Sequence, residues 1–230
     1  SSRSTRAASR RTPARRPTSS TPRSPAVSVI IPTHNRPDRL RTAITSVLNQ
    51  DFQDFQIIVV NDGTTPVEAV VNELNRDGRI ILVTHDRNRG LAASRNTGLR
   101  QASGKYVCYL DDDDRLLPHH LRTLVTHLES SGDKIAYTDA WRVHERLIDH
   151  TITEVGRDQP YSDEFNPHQL LIGNYFPVLC LMHERAILDE VGTFDESLFA
   201  HEDWDLWIRM ATKYPFKHLA VTTAEFTWRT

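Results

Sequence analysis

Four consecutive aspartates, Asp111-Asp112-Asp113-Asp114, directly follow the apolar run Tyr106-Val107-Cys108-Tyr109-Leu110. Adjacent carboxylates repel one another and raise each other's pKa unless positive charge compensates them. A hard divalent cation does this: Mg²⁺ and Mn²⁺ favour oxygen ligands, and Mg²⁺ is often held by one or two carboxylates plus substrate phosphates. The competing reading is an acidic loop capping a helix that starts near Pro118. A second acidic group, His201-Glu202-Asp203-Trp204-Asp205, opens an expected helix over about 203–213. The helix dipole alone would favour Glu202 and Asp203 there. The functional alternative is a general base for a hydroxyl nucleophile, a role worth ~10²- to 10⁴-fold in rate.

Arg36 and Arg95 are candidates for phosphate or base contacts, since a guanidinium presents a planar fork of donors matched to phosphate oxygens. Near Arg95, Gly90-Leu91-Ala92-Ala93-Ser94 reads as a tight helix start whose free N–H groups face an anion. The chain has neither a G-x-G-x-x-G turn nor a G-x-x-x-x-G-K-[ST] loop, so neither a dinucleotide site nor a P-loop is supported. His34, His119, His120, His183 and His201 show no helical i,i+4 pairing and no cysteine partners, which predicts surface histidines, with His201 kept open beside the proposed base. Cys108 and Cys180, the two cysteines, read as packing residues. They imply a reducing, cytoplasmic compartment without a disulfide framework.

These residues need a scaffold, and short β-branched runs alternating with helical patterns predict an α/β fold with a mainly parallel central sheet and flanking helices. Strands are expected at 27–31, 55–61, 79–84 and 105–110, and helices at about 66–76 and 91–102. Pro37 opens a further helix whose apolar face carries Leu40, Ile44, Val47 and Leu48. In such sheets ligands bind beyond the carboxyl ends of the strands. Those ends carry Pro32-Thr33-His34-Asn35-Arg36, Asp62-Gly63, Asn88-Arg89-Gly90 and the aspartates. Beyond them a helix at about 118–130, a strand at 134–139, a hairpin plus loop over 142–175 and a strand near 178–183 are expected. No terminal element is legible around Phe226-Thr227-Trp228-Arg229-Thr230.

Residues 1–25 hold seven arginines and no Asp, Glu or Lys, so residues 26–230 retain 21 basic against 30 acidic residues, a net charge of −9. That excludes the basic footprint of a nucleic-acid-binding domain. The Ser/Thr/Pro/Arg-rich tail reads as a disordered linker, with a polybasic tether at the inner face of the membrane as the alternative. No apolar run approaches the roughly 20 residues needed to span a bilayer. The 230-residue chain opens with Ser rather than Met, as expected of a fragment of a longer protein with other domains, and equally of N-terminal processing or a targeting peptide.

Taken together the motifs resemble the inverting family 2 glycosyltransferases of GT-A fold. The resemblance rests on Val27 to Arg36, Ile58-Val59-Val60-Asn61-Asp62-Gly63, Asn88 to Asn96, Tyr109 to Asp114, and Gly192-Thr193-Phe194-Asp195-Glu196 leading to Glu202-Asp203. It implies a Rossmann-like domain over 26–230 with a smaller acceptor-side region, a nucleotide-sugar donor with UDP-sugar favoured, a saccharide or glycoconjugate acceptor, and Mn²⁺ or Mg²⁺. By the same resemblance, Pro32, Thr33 and Arg36 border the nucleotide, Asp62 accepts a hydrogen bond from the base, and Arg95 sits near base or phosphate. Asp111 and Asp113 match the D-x-D motif, with Asp113 the direct metal ligand and Asp111 or Asp112 holding the ribose or a metal-bound water. Asp203 is the catalytic base, with Glu202 and His201 on the acceptor side, and Asp114 only begins the next loop. Family members often carry a further segment beyond the point where this chain stops. The rival readings are a retaining transferase, a nucleotidyltransferase, against which the Pro32-Thr33-His34-Asn35-Arg36 turn argues, and a non-catalytic interaction domain of the same fold.

Overall fold

A computed structural model describes residues 24–149 and 151–229. The predicted linker therefore lies almost wholly outside the described residues. Within them the chain builds β1 (Val27–Thr33), α1 (Pro37–Leu48), β2 (Phe55–Asn61), α2 (Glu68–Leu74), β3 (Ile80–Thr84), α3 (Leu91–Gln101) and β4 (Tyr106–Tyr109). β1 and β2 are buried at every position, as expected of parallel strands covered on both faces, and this is why they read as unbroken apolar runs. β1 lies between β2 and β4, β3 flanks β2, and all three pairings are parallel. Their carboxyl ends therefore share one edge. α3 packs closely on β1 because it is made of small residues: a Cβ at Gly98 would lie 2.4 Å from Ile30 Cγ2.

The second half departs from the expected parallel pattern. β5 (Arg115–Leu116), α4 (His120–Ser131), β6 (Ile135–Ile148), β7 (Thr151–Asp158), α5 (Pro167–Leu170), β8 (Leu181–Glu184), α6 (Leu188–Val191), α7 (Glu202–Ala211) and β9 (Lys217–Arg229) follow. β8 joins β4 and β6 antiparallel, β9 runs parallel to β6, and β5 closes onto β9 antiparallel. The strand expected at 134–139 is the start of the 14-residue β6, which pairs with β7 as the hairpin. β9, which had no sequence signal, is a 13-residue strand. The acidic run is followed by β5 rather than by a helix start, and α4 has no acidic residue in its first turn, so the helix-capping reading is overturned. No described helix is long and apolar enough to cross a membrane.

The expectation of surface histidines fails for His120 and His183, both fully buried. His120 Nδ1 lies 2.7 Å from Thr223 Oγ1, while His183 Nδ1 donates to the Glu184 carbonyl at 2.8 Å and Nε2 accepts from the Tyr109 hydroxyl at 2.9 Å. Burial pushes His120 down to about 3 and His183 down to about 4. Both stay neutral when folded yet protonate in the unfolded chain below about pH 6.5, so acid draws the protein toward unfolding. The His183 contribution between pH 7 and pH 5 amounts to about 2 kcal/mol. Asp112 and Asp114, raised by burial, work in the opposite direction. Denaturant titrations of wild type and His183→Gln at pH 7 and pH 5 isolate the histidine, and the variant is expected to lose about 2 kcal/mol less on acidification. Equal losses in the two proteins would refute this.

Candidate functional site

The shared strand edge is where the chemistry collects. Parallel register sets Thr33 beside Asn61 and Asn61 beside Thr84, so Thr33, Asp62 and His85 leave the sheet side by side, with the aspartates following β4. A cavity of about 240 Å³ is lined by Pro32, Thr33, Arg36, Asp62, Gly90 and Asp111 to Asp113, among others. A larger one of about 780 Å³ adjoins it, sharing Arg36, Asp112 and Asp113 and reaching Arg39, Glu145 and Arg229.

Each aspartate of the run has a different environment. Asp111 is partly exposed, and its Oδ1 accepts from Arg95 Nη2 at 2.9 Å. Asp112 is buried: its Oδ2 accepts from the Thr33 hydroxyl at 2.7 Å, and Arg36 Nη2 lies 2.8 Å from Oδ1 as an ion pair without hydrogen-bond geometry. Burial holds the Asp112 carboxyl above the usual range, against the pull of Thr33 and Arg36. Asp113 Oδ2 sits between Arg36 Nη1 at 2.8 Å and Arg229 Nη2 at 2.7 Å. Asp114 does more than begin a loop. It is buried, accepts from the Thr227 N–H at 2.9 Å, and is pushed well above the usual range by burial and by Asp111. It thereby ties the run to β9.

Arg95 departs from its expected place at base or phosphate. It is 2% exposed, and its fork is taken by Asp111 Oδ1 and by Glu202 Oε1 at 2.5 Å. Burial alone would lower its pKa, but Asp111, Glu202 and Asp203 outweigh it, so the guanidinium stays charged. Glu202 likewise is buried against Arg95 rather than open to an acceptor. Arg95 thus joins the strand-end carboxylates to the first turn of α7. That helix is anchored from behind by Trp207, buried with its ring 6.1 Å from that of Tyr109 on β4. Asp203, next along, is only partly buried, and its Oδ2 accepts from Asn174 Nδ2 at 3.1 Å. His201 precedes α7 with φ 63°, a left-handed conformation costing a non-glycine residue roughly 1–2 kcal/mol, and its ring is exposed.

Asp62 is held more completely than the sequence implied: its Oδ1 accepts from the Arg89 N–H and from His85 Nδ1, each at 2.7 Å, and its Oδ2 from the Gly90 N–H at 2.8 Å. Gly63 permits the turn to lie against Asn35, whose backbone nitrogen would stand 2.7 Å from a Cβ there.

A family profile described as Glycosyl transferase family 2 matches residues 28–181. The chain belongs to glycosyltransferase family 2. Among the relatives of this family 2 domain, a Bacillus subtilis protein described as an uncharacterized glycosyltransferase, YwdF, is 29% identical and is matched over 84% of this chain and 70% of its own length. The Campylobacter jejuni GalNAc(5)-diNAcBac-PP-undecaprenol beta-1,3-glucosyltransferase is 30% identical over 84% of this chain and 62% of its own. The chain spans 26% of the length of a Rickettsia bellii relative that is 31% identical. Of solved structures, S. aureus TarS in complex with UDP-GlcNAc superposes with a TM-score of 0.70 at 21% identity, covering 89% of this chain and 59% of that one. The Pyrobaculum calidifontis mannosyltransferase PcManGT in complex with GDP-Man and Mn²⁺ gives a TM-score of 0.64 at 18% identity, over 88% of this chain and 57% of that one. These likenesses establish the GT-A fold.

Whether the family 2 site suits a divalent cation is decided by its donors. Among the described residues no three His, Cys, Asp or Glu side chains converge as a ready-made metal site. Asp111 and Asp113 nonetheless fit an ion that arrives with phosphates, since each commits one carboxylate oxygen to arginine and retains the other. The two guanidiniums on Asp113 show how much positive charge the cluster requires. Arg229, Asn174 and His85 are site residues that sequence reasoning missed. Asn174 lay in the loop expected after the hairpin within 142–175, and Arg229 at the end of an unpredicted strand.

Proposed function

We propose that this domain is a metal-dependent, inverting glycosyltransferase that moves a hexosyl- or N-acetylhexosaminyl-type sugar from a nucleoside-diphosphate sugar, with UDP-sugars favoured, to a saccharide or glycoconjugate hydroxyl. The observation carrying the reading is the Arg95 bridge, which holds Asp111 of the aspartate run and Glu202, the neighbour of Asp203, on a single buried guanidinium. A donor-side carboxylate and a candidate base are thereby fixed at one rim, as direct displacement requires. Asp62, held by the Arg89 and Gly90 N–H groups, takes the base, and Thr33 and Arg36 hold Asp112 at the ribose side. Arg36 and Arg229 face the diphosphate, where their forks bind the leaving group. Asp113 with Asp111 would hold Mn²⁺ or Mg²⁺, which would supply further neutralisation of the diphosphate charge. Asp203 takes the proton from the acceptor hydroxyl as its oxygen attacks the anomeric carbon from the far face. The Campylobacter relative, named as a beta-1,3-glucosyltransferase, supports glucosyl-type transfer in glycan synthesis. Free, buried Cys108 and Cys180 are consistent with a cytoplasmic setting.

A thermal-shift panel of UDP-, GDP- and dTDP-sugars with and without Mn²⁺ tests the donor site, because a ligand that binds only the folded state raises apparent stability. UDP-sugars with Mn²⁺ are expected to give the largest shift, and Asp113→Ala to lose the Mn²⁺-dependent part of it. No shift with any donor would overturn the reading. The anomeric configuration of the product separates inversion from retention.

A further inference from the structure

We infer that His85 is a specificity-determining residue, which biases the site toward a uracil-type base and against guanine by occupying one lone pair of Asp62. The inference rests on the proposed function, in which Asp62 receives the base. His85 follows β3 and is nearly buried, and it is absent from the cavity lining, so it acts through its neighbour. Its two ring nitrogens are both engaged: Nδ1 lies 2.7 Å from Asp62 Oδ1 and Nε2 2.8 Å from Thr97 Oγ1. The polarity of this chain is set from its ends. Asp62 already accepts two backbone N–H groups, so as a carboxylate it also accepts from His85 Nδ1–H. Thr97 Oγ1 accepts from Arg100 Nη2 at 2.6 Å, which leaves its own hydrogen to donate to His85 Nε2. A neutral imidazole with its proton on Nδ1 satisfies every member of the relay from Arg100 to Asp62.

The consequence lies in what Asp62 has left. A carboxylate offers about four acceptor positions, two on each oxygen. Oδ1 has both taken, by Arg89 N–H and His85 Nδ1–H, and Oδ2 has one taken, by Gly90 N–H. One position remains, on one oxygen. Uracil and thymine present a single imide N–H between two carbonyls, which this position satisfies. Guanine presents two parallel donors, the ring N–H and the exocyclic amine, which pair with a carboxylate only when both oxygens are available. With Oδ1 filled, the second guanine donor is left without a partner, a cost of about 1–3 kcal/mol, or roughly tenfold or more in affinity.

The test compares UDP and GDP binding, with Mn²⁺, by calorimetry for wild type, His85→Leu, His85→Asn and Thr97→Val. Wild type is expected to prefer UDP by about tenfold or more. His85→Leu frees the Oδ1 position and is expected to cut that ratio by about tenfold, whereas His85→Asn, which keeps an N–H near the Nδ1 position, retains most of it. Thr97→Val loosens the imidazole without removing it and gives an intermediate ratio. The ratio is measured within one protein sample, so a general loss of folded protein cancels from it, and a merely structural role would leave it unchanged. A UDP to GDP ratio in folded His85→Leu or Thr97→Val equal to that of wild type overturns the inference while leaving the donor-site reading intact. Failure of the wild type to bind any nucleotide overturns both.

Discussion

Asp203→Asn is expected to lower glycosyl transfer by ~10²- to 10⁴-fold while leaving nucleotide binding unchanged, the range associated with loss of a general base. The substitution keeps volume and shape, and the asparagine oxygen can still accept from the Trp204 N–H that Asp203 Oδ1 binds at 2.7 Å, so the first turn of α7 is preserved at the expense of the Asn174 Nδ2 hydrogen bond at Oδ2. Its neighbour provides the contrast. Glu202 is committed to Arg95 within the protein, so Glu202→Gln is expected to act through stability and positioning rather than through proton transfer. Initial-rate transfer assays alongside UDP binding separate the two positions, and an Asp203→Asn enzyme transferring within threefold of wild type would eliminate Asp203 as the base.

Arg95→Met carries the largest expected effect on stability. Truncating one partner of a buried ion pair leaves the other charge uncompensated, at a cost of about 3–5 kcal/mol. Here the single guanidinium serves both Asp111 and Glu202, and it also lies 5.6 Å from the centre of the Phe194 ring. Arg95→Lys is expected to recover only part of the loss, because an ammonium on a flexible stem cannot span two carboxylates as a planar fork does. Denaturant unfolding reads both variants. A loss below about 1 kcal/mol for Arg95→Met would mean that the carboxylates find other compensation and that the bridge does not set the geometry of the rim.

β1, β2 and β4 were legible because each is buried on both faces of a parallel sheet, leaving continuous apolar runs in the sequence, while the less buried edge strand β3 was legible from its β-branched run Ile80-Ile81-Leu82-Val83. The aspartates were legible as a cluster for the same reason: they interrupt such a run at a strand end. β9 was not, because its mixed burial and its polar residues Thr222, Thr223, Glu225 and Thr227 give no clean alternation. Histidines were misassigned because burial of an imidazole depends on partners, Tyr109 and Glu184 for His183 and Thr223 for His120, that no local pattern reveals.

The sequence by itself determined the α/β class, the family's motifs and which residue types would meet at the carboxyl edge, since local periodicity and strand ends are properties of short segments. Only the tertiary structure decided what those residues do to one another. Arg95 meets Glu202 across 107 positions and Asp113 meets Arg229 across 116, and His85 takes up a lone pair on Asp62. Such pairings depend on how distant segments are brought together by folding, and a charge without a known partner has no fixed role. The aspartate run therefore became a site only once its arginines were in place around it.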